Sequence, residues 1–238
     1  MEKKKLLKPA IAVVIIGLVS VRTFMYISKK VTSKAEINHL VEGAISDWQK
    51  SPEKKWDSSK VFQINSNVTK DKSPIVFIGD LLSTDSAAVF KDLEAVAEKQ
   101  NSSFSISFYP LDQHCNSAID YRSDGLSCRL TAAVMCAQTQ MQKGLELTKF
   151  IYAENKNMLM NPAKAPAILE DQFPKLSLNP NQMNECIKST LEDGLIQTSN
   201  TSIQKISFTR LPVILYKDKI YNAPLMKDGL LKLVETNP

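Results

Sequence analysis

The chain has 238 residues, 43% hydrophobic and 23% charged, with a net charge of +5. That length suits one domain of ordinary size with appendages, and the composition excludes a disordered chain. The positive excess is mild and sits early, in Lys3, Lys4, Lys5 and Lys8 and again in Arg22, Lys29, Lys30 and Lys34, which points to lipid head groups and away from a nucleic-acid partner.

Residues 1–8 are a basic lead-in to the apolar run PAIAVVIIGLVSVRTFMYI at 9–27. Its uninterrupted part, ending at Val21, is also what a cleaved signal peptide would carry. No small-x-small cleavage site follows, however, and Arg22 can extend its stem so that Phe24, Met25 and Tyr26 complete a span. The expectation is a retained single-pass transmembrane anchor with the N-terminus inside and the body exported.

Beyond it, Ile37, Leu40, Val41, Ala44, Ile45 and Trp48 recur at helical spacing. Two readings stand for this helix. It packs on its own domain, or Ile37, Leu40, Val41, Ile45 and Trp48 meet a partner near the membrane. SPEKKWDSSK (51–60) is polar and reads as a linker, so 28–60 is assigned as juxtamembrane helix and linker, and 61–238 as the main domain.

VFQINSNV predicts a short strand, and PIVFIG a strand buried on both faces. SAAVFKDLEAVAEKQ (86–100) predicts a helix and SFSISFYPL (103–111) a strand, giving a right-handed crossover. A helical block then runs from Cys128 to Tyr152, with more helix at 165–173 and 180–196, an insertion over about 128–200. LPVILYKDKIYNAPL predicts a hairpin, and MKDGLLKLVETN a closing helix. This order is that of an α/β thioredoxin-like fold with a helical insertion.

Four cysteines, Cys115, Cys128, Cys136 and Cys186, are an even number in a domain expected to be exported, the setting in which disulfides persist. There is no Cys-x-x-Cys, and His39 and His114 lie far apart. Neither a metal site nor a cofactor is expected.

From about residue 60 to 236 the chain resembles the exported DsbA-like thiol:disulfide oxidoreductases. The resemblance rests on Pro110-Leu111-Asp112-Gln113-His114-Cys115-Asn116, on Cys128 and Cys136 in SCRLTAAVMCA, and on Cys186-Ile187. It implies a redox turn after the first long strand, where Asp80 aligns without a gap to place Ser83 and Ser86 on the two cysteine positions. Thr84 and Asp85 stand between them. A serine hydroxyl cannot ionise or form a disulfide there. As plain structure, Ser83 or Asp85 caps the following helix. A serine nucleophile lacks both a glycine elbow and a base nearer than His114.

The resemblance also implies a cis-proline loop, here Phe208-Thr209-Arg210-Leu211-Pro212-Val213, with Leu211 in place of the usual threonine. A trans-proline opening an edge strand is the other reading. The helix after Cys136 lacks the phenylalanine-tryptophan pair of catalytic relatives.

Of the three possible disulfide connectivities, 115–128 with 136–186 is favoured, closing loops worth about 3 and about 4 kcal/mol; the other two stay open. The functional expectation is a membrane-anchored, redox-inactive and non-enzymatic scaffold subunit. It would sit at the bacterial inner membrane with its domain in the periplasm, holding an envelope or membrane protein through Leu211 and the 37–48 helix face. The alternatives are a thiol:disulfide oxidoreductase or isomerase using the remaining cysteines, and a periplasmic chaperone.

Overall fold

A computed structural model describes residues 34–54, 57–66, 75–120, 123–221 and 226–236. The expected basic segment 1–8 and anchor 9–27 lie outside them. Among the described residues no helix is long and apolar enough to cross a membrane.

Among the described residues the sheet has five strands, β1 (Ile64–Asn65), β2 (Ile75–Gly79), β3 (Ser105–Phe108), β4 (Val213–Tyr216) and β5 (Lys219–Tyr221), in the order β1-β3-β2-β4-β5. β2 is central because its side chains can be buried on both faces: Ile75, Phe77 and Ile78 have no exposure. It runs parallel to β3, with Val76 opposite Ser105 and Gly79 opposite Phe108, and antiparallel to β4. The parallel pair requires a crossover, which the helix α2 (Thr84–Gln100) supplies. β4 and β5 are joined by Lys217 and Asp218 at φ 48° and 62°, the positive-φ pair whose twist suits a tight hairpin.

Among the described residues, five α-helices fill the span between β3 and β4. They are α3 (Leu126–Met141), α4 (Gly144–Met160), α5 (Ala165–Gln172), α6 (Pro180–Glu192) and α7 (Leu195–Gln204). The block expected as one helix breaks between α3 and α4. Gln142 takes φ 56°, and a Cβ on Gly144 would lie 2.8 Å from Ile64 Cδ1, so the chain turns where only glycine can approach β1. α3 is interior: Leu130, Ala132, Ala133, Val134 and Ala137 are all fully buried.

The first described helix, α1 (Lys34–Lys50), packs against the closing helix α8 (Met226–Thr236) and β5. Val41, Ile45 and Trp48 belong to the main core. The Trp48 indole Nε1–H donates to the Tyr216 carbonyl at 3.2 Å, and the two rings lie 5.4 Å apart. This corrects the partner-face expectation for those three residues. Helical spacing specifies an apolar stripe but not what covers it, and here the domain covers it. Leu40 stays exposed at 42%, and the side chain of Ile37 lies outside the described set.

Candidate functional site

β2 ends at Gly79, where an added Cβ would stand 2.6 Å from Phe77 Cζ and 2.9 Å from the Tyr152 hydroxyl. The close approach turns the next residue, Asp80, inward to 3% exposure. Its Oδ1 accepts from the Leu82 N–H at 2.7 Å; its Oδ2 accepts from the Leu111 N–H at 2.8 Å and from the Ser127 hydroxyl. One carboxylate therefore joins the turn after β2, the loop after β3 and the start of α3. Burial pushes the Asp80 carboxyl up, against the hydrogen bonds from Ser127 and the backbone. Burial first, and the charge of Asp80 second, push the neighbouring Tyr152 phenol well above its ordinary range.

At the aligned redox turn both hydroxyls are structural. Ser83 is the N-cap of α2, its Oγ accepting from the Ser86 N–H at 3.1 Å. Ser86 is fully buried, and its Oγ accepts from the Asp80 N–H at 3.2 Å. Asn155 on α4 donates to the Ser83 carbonyl at 3.1 Å. Asp85 is an exposed acid in the first turn.

The Leu211–Pro212 peptide is cis. Leu211 is half-buried and packs on the smaller core cluster of Val61, Ile78, Tyr109, Ile203, Ile206, Val213 and Leu215. The apolar surface expected of it for a partner is thus largely taken by its own domain.

All four cysteines are paired, Cys115 with Cys128 and Cys136 with Cys186, at Cα separations of 5.8 and 6.0 Å. The first pair lies beside Asp80. Cys115 is on the loop after β3, and Cys128 is the third residue of α3, next to Ser127. The N-cap residue, Gly125, has no side chain to cap this helix; the Asp124 carboxylate does so from one residue earlier, accepting from the Leu126 N–H at 3.0 Å. Asn200 on α7 holds the Cys115 carbonyl at 2.9 Å, and the Asp112 carbonyl lies 3.7 Å from Cys128 Sγ.

Asp112 is the residue that sequence reasoning passed over. Its side chain is 1% exposed, and its Oδ1 accepts from the Ser123 hydroxyl at 2.6 Å and the His114 N–H at 3.1 Å. His114 Nδ1 lies 2.9 Å from the same oxygen. Burial works against the charge, but the bonds of Ser123, His114 and the Cys128 N–H outweigh it and hold the carboxyl below its usual range. An ionised carboxylate only accepts, so Nδ1 carries the proton of this contact. The signal lay in the motif itself, which puts Asp112, His114 and Cys115 within four residues. Among the described residues no group of three potential ligands could hold a metal.

No family model and no curated relative matches the sequence. Solved structures do. Oxidised BdbD from Bacillus subtilis superposes with a TM-score of 0.57 at 13% identity, covering 78% of this chain and 97% of that one. MdbA, a thiol-disulfide oxidoreductase from Actinomyces oris, gives 0.55 at 8%, covering 76% and 89%. MdbA from Corynebacterium diphtheriae gives 0.53 at 15%, covering 79% and 96%. The chain has the DsbA-like thioredoxin fold. These neighbours overturn the expectation of a redox-inactive, non-enzymatic scaffold. That expectation read the loss of sulfur at one turn as the loss of sulfur chemistry from the fold, yet the DsbA-like domain keeps a disulfide at the adjacent helix start.

Proposed function

We propose that this protein is an exported thiol:disulfide oxidoreductase whose exchanging pair is Cys115–Cys128. The observation that carries the reading is the position of that disulfide, in the first turn of α3 beside the carboxylate that also holds the β2–α2 turn. A helix N-terminus favours a thiolate in its first turn, which makes Cys128 the better leaving group. Cys115, on the loop, is 8% exposed against 1% for Cys128, and so is the sulfur that an incoming thiolate meets.

In the oxidising direction a substrate thiolate attacks Cys115 Sγ. A mixed disulfide forms, the Cys115–Cys128 bond breaks, and Cys128 departs as the thiolate. A second substrate thiolate then attacks the substrate sulfur of the mixed disulfide. The substrate leaves oxidised, Cys115 leaves as a thiolate, and two electrons have passed to the protein. Run in reverse, the same steps reduce or reshuffle a substrate disulfide. Cys136–Cys186 links two helix interiors with Thr190 Oγ1 near both sulfurs, at 3.4 and 3.9 Å, and is read as a staple.

The apolar run 9–27 and its basic flanks support tethering at the outer face of a bacterial inner membrane, with other exported proteins as substrates. Alkylation of full-length protein equilibrated in glutathione buffers tests the reading. Cys115 and Cys128 should become alkylated as the buffer turns reducing while Cys136 and Cys186 stay paired, and a reduced substrate should gain disulfides with wild type but not with Cys115→Ser. If both pairs resist reduction together and no substrate disulfide forms, the proposal fails.

A further inference from the structure

Resting on that reading, we propose that His114, oriented by Asp112, is the proton acceptor for the substrate thiol that attacks Cys115. An ordinary cysteine thiol is only about 3% ionised at pH 7, yet the thiolate is the attacking species. A base at the point of entry removes that deficit.

Three features assign the role to His114. It is the residue immediately before Cys115, so its ring is carried by the loop that presents the attacked sulfur. Asp112 engages Nδ1 at 2.9 Å and leaves Nε2 as the nitrogen with a lone pair, the arrangement in which a carboxylate fixes the tautomer of a working base. The ring is 53% exposed and lies against Gly125, where an added Cβ would be 3.7 Å from ring atoms. Gly125 in turn lines an open groove of about 340 Å³ with Asp124, Leu126, Arg129 and Pro162, a route by which a peptide reaches the ring.

Among the described residues, the charged groups at the ring and in the groove are engaged. Asp112 bonds the ring itself. Asp124 Oδ1 accepts from the Leu126 N–H at 3.0 Å, and Arg129 faces Glu170 at 3.5 Å. The Asp112 carbonyl near Cys128 Sγ and its carboxylate on His114 wrap one residue around both partners of the reaction.

The step balances without any further reagent. His114 Nε2 takes the proton from R–SH, and R–S⁻ attacks Cys115 Sγ. The Cys115–Cys128 bond breaks, and the imidazolium returns its proton to the departing Cys128 thiolate directly or through water. Asp112 stays ionised throughout and acts as a positioning residue.

The test is the opening rate of the Cys115–Cys128 bond in full-length protein with a blocked peptide bearing one cysteine, followed from pH 5.5 to 9. Complete ionisation can gain at most about thirtyfold at pH 7 for such a thiol. Wild type should therefore exceed His114→Gln by roughly tenfold at pH 7, and the two should converge near pH 9, where the peptide ionises unaided. Asp112→Asn should lower the neutral rate in the same direction. Circular dichroism melts of His114→Gln report its folding, which the exposure of the ring should spare. Parallel profiles for wild type and His114→Gln at every pH overturn the role of His114 while leaving the exchange reading intact. If wild type itself does not open above the peptide-free background, both fail together.

Discussion

Two helix starts meet at Asp80 and are furnished in opposite ways. At α2, Ser83 satisfies a free amide and the buried Ser86 hydroxyl accepts from the Asp80 N–H; both hydroxyls serve the turn. At α3, Gly125 has no side chain to cap with, Asp124 takes the first amide instead, and a disulfide occupies the first turn. The carboxylates differ in the same sense. Asp80 is buried with its pKa raised, while Asp112 is buried with its pKa lowered. Both accept several hydrogen bonds; at Asp80 the loss of water outweighs them, and at Asp112 the donors prevail over a smaller loss. One helix start carries a hydroxyl cap and no sulfur, and the other carries a disulfide among carboxylates.

Removing sulfur should break that contrast most strongly. Cys136→Ser with Cys186→Ser should cost about 4 kcal/mol in denaturant unfolding and leave exchange in place. Cys115→Ser with Cys128→Ser should cost about 3 kcal/mol and reduce exchange to background. The opposite assignment of activity between the pairs would move the site to the α3–α6 staple.

Asp112→Asn should come next, at about 2 kcal/mol near pH 7, since bonds to a charged acceptor are lost. The sign follows from its lowered pKa. Wild type holds this stabilisation above the unfolded carboxyl's value, about 3.9, and loses it as pH falls through the folded one. The gap between wild type and variant should therefore close on acidification. A gap constant from pH 3 to 7 would show that Asp112 acts without its charge.

Ser83→Ala should cost about 1 kcal/mol, the usual value of an N-cap, with the exchange rate unchanged. A rate loss at this position would return chemistry to the α2 turn.

The smallest effect concerns Asp80. A carboxyl whose pKa is raised by folding destabilises the native state when ionised, so its contribution worsens as pH rises through the folded value. Stability of wild type relative to Asp80→Asn should decline from pH 4 to 7. A rise over that range would mean that the three donors on Asp80 outweigh its burial.

Much of the sheet was readable because strands declare themselves locally. PIVFIG is β2 and VILYKDKIY is the β4–β5 hairpin, each within a residue or two. The α3–α4 break was not readable. Gln142 has no intrinsic preference for positive φ, and the break is imposed by the contact of Gly144 with Ile64, about eighty residues earlier. That Ser83 caps the helix was legible as a local signal, whereas Asp112 entered only as part of the motif around Cys115, with no role of its own. Nothing within a loop's own composition distinguishes a solvated aspartate from one 1% exposed.

By itself the sequence determined the strand and helix order, the absence of thiols at the β2–α2 turn, and the motif that sets Asp112, His114 and Cys115 together. These are properties of neighbours along the chain, where side-chain type and spacing act directly. Tertiary structure alone decided that α1 is covered by α8 and β5, that Cys128 starts a helix beside Asp80, and that two buried carboxyls are pushed in opposite directions. Burial and charge depend on groups brought close by folding, and distance along the chain carries no record of them.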